Sequence, residues 1–246
     1  MDLGLGGTVA MVTGAAAGIG AAAARALAAE GCDVALVDLR GAAATAAAVQ
    51  KAGRRALEIE ADVRDHAAAA RAIERTVEGL GRLDALVCSA GITRDAVIGR
   101  MSEGHWDQVI EVNLKGVFNY NRAAAALFER RKRGAIVNVA SINGLRGKHG
   151  QSNYAASKGG VIAFSKSLAR ELGRFHVTVN VVAPGMVLTD MVRGLPQDVI
   201  QRAIDETATG RLGTPEECGD LIAFLCSTRA EHITGEVIQI DGGQYM

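Results

Sequence analysis

Hydrophobic positions along this 246-residue chain gather in short, nearly continuous runs, separated by Ala-rich stretches with polar interruptions. "TVAMVTG" (8–14), "DVALVDL" (33–39), "RALEIEADV" (55–63), "LDALVCSAG" (83–91), "GAIVNVAS" (134–141), "VTVNVVAPG" (177–185) and "GEVIQIDGG" (235–243) read as strands. Between them, "GIGAAAARALAAEG" (18–31) reads as a helix ended by Gly31, and "ATAAAVQKAG" (44–53) and "HAAAARAIERTVEGLG" as two more. A long helix is expected over 103–132, another around "NYAASKGG" (153–160), and a last one over "PEECGDLIAFLCS" (215–227). Strand–helix alternation predicts parallel strands, right-handed crossovers and helices on both faces. Strands this continuously apolar suit a sheet covered on both sides. The expected fold class is α/β: one doubly wound, seven-stranded parallel sheet, in one domain over 1–246. Segment 186–213, where Pro196 and polar residues break the pattern, reads as an irregular lid over the substrate.

Composition narrows the function classes. Hydrophobic residues are 49% and charged residues 22%, enough for a large core and against disorder. Lys+Arg and Asp+Glu are both 27, so net charge favours neither nucleic acid nor an anionic membrane. No apolar run approaches the ~20 residues of a membrane span. The start "MDLGLGGTVAMVTG" has no signal-peptide pattern. Cys32, Cys88, Cys218 and Cys226 lack metal-site or redox spacing, so free thiols and a cytoplasmic location are expected, with no metal. The basic run "ERRKRG" (129–134) reads as a solvated helix end.

Chemistry concentrates in two places. Gly14, Gly18 and Gly20 stand between the first strand and first helix, the spacing of a loop that admits a pyrophosphate to a helix N-terminus. Asp38 ends the second strand 20 residues past Gly18, where a carboxylate accepts hydrogen bonds from a ribose 2′-OH and repels a 2′-phosphate. Asp62 and Val63, ending the third, are placed to line an adenine pocket. Further on, Tyr154 and Lys158 are four residues apart and share a helix face. A neighbouring cation favours tyrosinate, so this pair suits proton exchange with a hydroxyl or carbonyl substrate. Ser141 closes the fifth strand at the sheet's carboxyl edge, where ligands of this architecture bind. Asn113 sits inside the long predicted helix, a poor place for an amide unless it serves a purpose.

Taken in order, TG-x3-GIG at 13–20, Asp62-Val63, Ala90-Gly91, Asn113, Ser141, Tyr154-x3-Lys158 and Pro184-Gly185 through Thr189 resemble the short-chain dehydrogenase/reductase family across essentially the whole chain. The resemblance implies a Rossmann fold and a nicotinamide cofactor. Contacts to it are implied for Gly14, Ala17, Gly18, Ile19, Gly20, Asp38 and Leu39, then for Asp62, Val63, Ser89, Ala90 and Gly91. Pro184, Gly185, Val187 and Thr189 would hold its carboxamide end. Tyr154 is implied as general acid/base, with Lys158 binding the ribose and lowering the Tyr pKa. Ser141 would orient the carbonyl oxygen and Asn113 support the proton relay.

Stretches 91–101 and 150–171 are similar to the 3-oxoacyl-[acyl-carrier-protein] reductases and the acetoacetyl-CoA reductases. The implied substrate is a small carbonyl or alcohol compound, as a thioester on coenzyme A or acyl carrier protein. It would be met by Ser141, His149, Gln151, Tyr154 and Met186, with Lys148 and His149 at the mouth. Arg131, Lys132, Arg133 and Arg174 would draw an acidic carrier. A homotetramer is implied, helped by close helix packing between subunits at Gly159-Gly160. Departures from the pattern shape the reading. Cys88-Ser89 replaces Asn-Asn, removing a sheet-stabilising amide. Ala17 stands where NADP-preferring members often carry Arg, and Asp38 replaces a small or neutral residue, so NAD(H) is favoured over NADP(H). The alternatives are an NAD-dependent dehydrogenase of a sugar, cyclic alcohol or steroid, and a non-catalytic nucleotide-binding scaffold.

Overall fold

In β2 (Asp33–Asp38) every residue but the last is buried, as is all of β1 (Val9–Thr13), because both lie inside a sheet roofed on each face. The computed structural model of the chain describes residues 2–246. After β1 come α1 (Gly18–Ala29), β2, α2 (Ala43–Lys51), β3 (Ala56–Glu60), α3 (His66–Leu80) and β4 (Ala85–Cys88). The second half runs α4 (Glu103–Ile110), α5 (Gly116–Arg131), β5 (Gly134–Val139), α6 (Asn143–Arg146), α7 (Ser152–Leu172) and β6 (Val177–Pro184), then α8 (Asp190–Arg193), α9 (Gln197–Asp205), α10 (Pro215–Leu225) and β7 (Val237–Ile240).

The described residues form seven strands, all paired in parallel, in the order β3-β2-β1-β4-β5-β6-β7. The chain moves outward from β1 to β3, then crosses back to β4 on the other side of β1. At that reversal the loops splay apart and leave a crevice at the strands' carboxyl ends. One face of the sheet packs α1, α2 and α10 over residues such as Ala10, Val12, Val34 and Leu36. The other packs α3, α5 and α7 over Met11, Val37, Leu86 and Ile136. On the first face α1 and α10 approach closely: a Cβ on Gly219 of α10 would stand 2.8 Å from the Ala22 backbone of α1.

All seven strands occur where the hydrophobic pattern places them. The third is shorter than 55–63 because Ala61, Asp62 and Val63 leave the sheet to line the crevice. The expected helix over 103–132 is interrupted. Between α4 and α5, Glu111–Lys115 form a π turn, which inserts one residue and rotates α5 relative to α4. Segment 186–213 is not wholly irregular either, since it contains α8 and α9. Gly159 and Gly160 are occupied within the chain: their Cβ positions would meet the Gly144 carbonyl oxygen at 3.2 Å and Leu114 Cδ2 at 2.8 Å.

Candidate active site

The strand ends, the loops after them and α8–α9 enclose one cleft of about 940 Å3, near the top of the ~300–1,000 Å3 range of small-molecule sites. Gly14, Ala17, Gly18, Ile19 and Gly20 line one end together with Asp38 and Leu39. Gly14 has φ +69°, and a Cβ there would stand 2.7 Å from the Ala90 backbone. A Cβ on Gly20 would stand 2.1 Å from the Gly14 carbonyl oxygen. The loop is thus folded more tightly than any side chain permits. Ala17 caps α1 with no side-chain hydrogen bond, and no acidic residue stands in the first turn. The first N–H groups of α1 have no intrahelical partner and carry partial positive charge. This cradle fits a dinucleotide's pyrophosphate.

Asp38 closes the same end. Its Oδ2 accepts from the Ala16 N–H at 3.0 Å, which fixes the carboxylate beside the loop. Asp62, Val63, Ser89, Ala90 and Gly91 form the adjoining wall. Asp62 is paired with Arg64 at 2.6 Å, and the Arg64 hydrogen bond holds its carboxyl below the usual range. The amide missing at position 88 is supplied from α5, next to an amide of the neighbouring strand β5. Asn121 Nδ2 donates to Cys88 Sγ at 3.3 Å and to Asn138 Oδ1 at 2.9 Å, and Asn138 answers to Asn121 Oδ1 at 3.0 Å and to Ser165 Oγ at 3.0 Å. Burial pushes the Cys88 thiol up to about 12, so it stays protonated.

Ser141, Tyr154 and Lys158 meet at the middle of the cleft. Ser141 is buried, and its Oγ accepts from the Asn143 N–H at 3.1 Å. That contact occupies an acceptor position and leaves the hydroxyl proton free to point elsewhere. Tyr154 lines the same wall as Ser141. Lys158 is buried, donates to the Val139 carbonyl at 2.8 Å and lies 5.7 Å from the Tyr154 ring centre. Burial lowers its pKa to about 8. Burial also raises the Tyr154 pKa, opposed by the Ser141 hydroxyl and reinforced by Asp95. The net direction for Tyr154 is upward, with the Lys158 ammonium turned to a main-chain carbonyl.

Asn113 is buried behind the cleft rather than lining it. The π turn aims its amide at one residue: Oδ1 accepts from Ile92 N–H at 2.8 Å and Nδ2 donates to Ile92 carbonyl at 3.0 Å. Nδ2 also reaches Ser157 Oγ at 3.2 Å. Asn153, to which sequence reasoning gave no role, ties the start of α7 to the 92–96 loop by donating to the Arg94 carbonyl at 2.9 Å. Pro184, Gly185, Met186, Val187 and Thr189 line the cleft below α8.

Of the expected substrate residues, Gln151 lines the cleft beside Asn143 and Arg146, whereas His149 is exposed and absent from its wall. Gly147 (φ +71°) and Gly150 (φ +77°) turn the backbone there, and Lys148 is the residue carried to the mouth. Sequence reasoning also missed Arg94, Asp95, Leu195, Val199 and Gln244 in the wall. None lies in a recurring spacing that would have marked it. Arg131, expected to be free for a carrier, is instead bonded to Asp84 at 2.9 Å and to the Leu83 carbonyl.

A family model described as Enoyl-(Acyl carrier protein) reductase matches residues 14–244. The chain is 42% identical to 3-oxoacyl-[acyl-carrier-protein] reductase FabG of Thermotoga maritima, covering 97% of this chain and 98% of that protein. It is 40% identical to the same-named protein of Escherichia coli, covering 98% of each. A crystal structure from Sinorhizobium meliloti, described as a candidate short-chain alcohol dehydrogenase, superposes with TM-score 0.95 at 37% identity, covering 99% of this chain and 98% of that one.

Proposed function

Because the chain belongs to the short-chain dehydrogenase/reductase family and is an oxidoreductase of CH–OH and C=O groups, we propose that it interconverts a 3-oxoacyl thioester and the matching 3-hydroxyacyl thioester. NAD(H) is the favoured cofactor over NADP(H). The observation that carries this reading is that the glycine loop, Asp38 and the Ser141–Tyr154–Lys158 group line one continuous cleft. The relatives named as 3-oxoacyl reductases support the thioester.

A nicotinamide dinucleotide, when bound, supplies or accepts the hydride. Gly14, Gly18 and the N-terminus of α1 hold its pyrophosphate, Asp38 its adenosine ribose, and Lys158 its second ribose. In reduction, Ser141 donates to the substrate carbonyl oxygen and keeps it beside Tyr154. Tyr154 then gives that oxygen its phenolic proton. A raised Tyr pKa keeps the proton in place until charge develops on the oxygen, and the nearby ammonium then stabilises tyrosinate. Asn113 holds the Ile92 backbone, and with it the 91–95 wall. Pro184, Gly185, Val187 and Thr189 hold the carboxamide end, while Gln151 and Met186 face the acyl part. Residues 186–213 act as the substrate lid. A cytoplasmic homotetramer completes the reading, on the strength of the resemblance.

The test is NADH oxidation with acetoacetyl-CoA from about pH 5.5 to 9. Turnover is expected; silence across that range rejects the thioester. Asp38 also favours a second reading, an NAD-dependent dehydrogenase of a sugar, cyclic alcohol or steroid. Activity with a panel of secondary alcohols and NAD, coupled with silence on the thioester, would select it.

A further inference from the structure

One guanidinium holds the end of α9 directly and reaches the start of the lid through Gln244. Arg146, the last residue of α6, donates from Nη2 to Glu206 Oε2 at 3.1 Å, from Nη1 to the Gln244 main-chain oxygen at 3.2 Å and from Nε to Asn143 Oδ1 at 3.2 Å. Glu206 directly follows α9 and so ends the lid's helical part. Gln244 is buried, and its Nε2 donates to the same Glu206 oxygen at 2.9 Å, while its Oε1 accepts from the N–H of Met186, where the lid begins, at 3.0 Å. On the other side, Asn143 is bonded to Ser141 through its N–H at 3.1 Å and to Gln151 through its Nδ2 at 3.0 Å. Within α9 packing contributes little, since Ala203 is its buried residue, whereas Val187 and Leu212 are buried at the two ends of the lid. Charge-assisted hydrogen bonds are the stronger kind, and here they add to that packing at the end of α9.

We propose that Arg146 is a positioning residue that fastens the end of α9, and through Gln244 the start of the lid, to Asn143, so that the seating of the lid is coupled to the Gln151 side of the substrate wall. The proposal rests on the reading of 186–213 as a substrate lid. Its consequence is specific. Loss of the clasp weakens capture of the part of the substrate that lies under the lid, and leaves the glycine loop and Asp38, which dominate cofactor binding at the opposite end, in place.

Glu206 separates the clasp from direct contact, since it is half-exposed and does not line the cleft. In the NADH-bound enzyme, Glu206→Ala is expected to raise KM for acetoacetyl-CoA about threefold to tenfold, with kcat and NADH affinity within about twofold. Amide hydrogen exchange across residues 190–205 is expected to quicken. Glu206→Asp should recover part of the loss, and Arg146→Met combined with Glu206→Ala should cost clearly less than the sum of the two single effects. Unchanged exchange in Glu206→Ala, or fully additive effects in the double variant, overturns the clasp. The exchange measurement needs only folded protein with NADH. It therefore decides the matter even if acetoacetyl-CoA is not turned over, a result that would instead reject the thioester.

Discussion

The two faces of the sheet are packed by different means. Under α1, α2 and α10 the buried side chains are mainly Ala, Val and Leu, and the polar ones serve main-chain groups. Thr45 donates to the Ala15 carbonyl at 2.8 Å, and Asn180 to the Ile233 carbonyl at 2.6 Å. Under α3, α5 and α7, buried polar side chains bond to one another: Asn121 to Asn138, Asn138 to Ser165, and Asn113 to Ser157. A buried hydrogen bond adds only about 1 kcal/mol net, but it is directional, and leaving one partner alone costs ~1–3 kcal/mol. The dry face therefore makes a close-packed platform for the glycine loop. The polar face spends its specificity on orientation, and it is the face that carries Tyr154 and Lys158.

The largest test of that division lies on the polar face. Tyr154→Phe keeps the ring and removes the proton. We expect carbonyl reduction to fall by roughly 10²–10⁴ while NADH affinity, read by fluorescence titration, stays within about twofold. Activity within tenfold of the parent would show that the phenol is not the acid, and that the polar network serves packing alone.

A smaller effect should come from the rim of the dry face. Asp38→Asn keeps an oxygen to accept from Ala16 N–H, at 3.0 Å in the parent, and removes the charge. Two like charges a few ångströms apart repel by up to ~4 kcal/mol at an effective dielectric near 20, less when solvated. NADP(H) efficiency should then rise about tenfold to a hundredfold relative to NAD(H). An unchanged ratio of kcat/KM for the two cofactors would mean that the carboxylate only braces the loop.

The same contrast explains what could be read from the sequence. β1, α1 and β2 follow from local rules: apolar runs, glycine spacing, an acid at a strand end. Tyr154 and Lys158 were legible because four residues on a helix share a face. The partners of Cys88 were not, because Asn121 and Asn138 are 33 and 50 positions away and meet only when β4, β5 and α5 are assembled. The π turn at Glu111–Lys115 was hidden too, since α4 and α5 keep an unbroken helical composition through it. So was the clasp, whose residues at 146, 206 and 244 come from the end of α6 and from two separate loops. His149 failed for the opposite reason: nearness in sequence to Gln151 does not survive a loop turned by Gly147 and Gly150.

The smallest effect asks whether the polar face obeys its own rule. Tyr120 on α5 is fully buried, and among the described residues its hydroxyl finds no partner. Burial raises its pKa, with Cys88 and Asp62 adding to the rise, so the phenol remains neutral and its unmet hydrogen bond is a standing cost. Tyr120→Phe removes one oxygen and little volume, and stability should increase by about 1 kcal/mol. At this chain length that raises Tm by ~2–4 °C, measurable by calorimetry with cofactor binding unchanged. A fall in Tm would show that the hydroxyl is bonded after all. The amides and hydroxyls beneath α5 and α7 would then form a network in which every buried polar group is satisfied, and the two faces would differ in the kind of partner each polar group takes but not in how completely those groups are met.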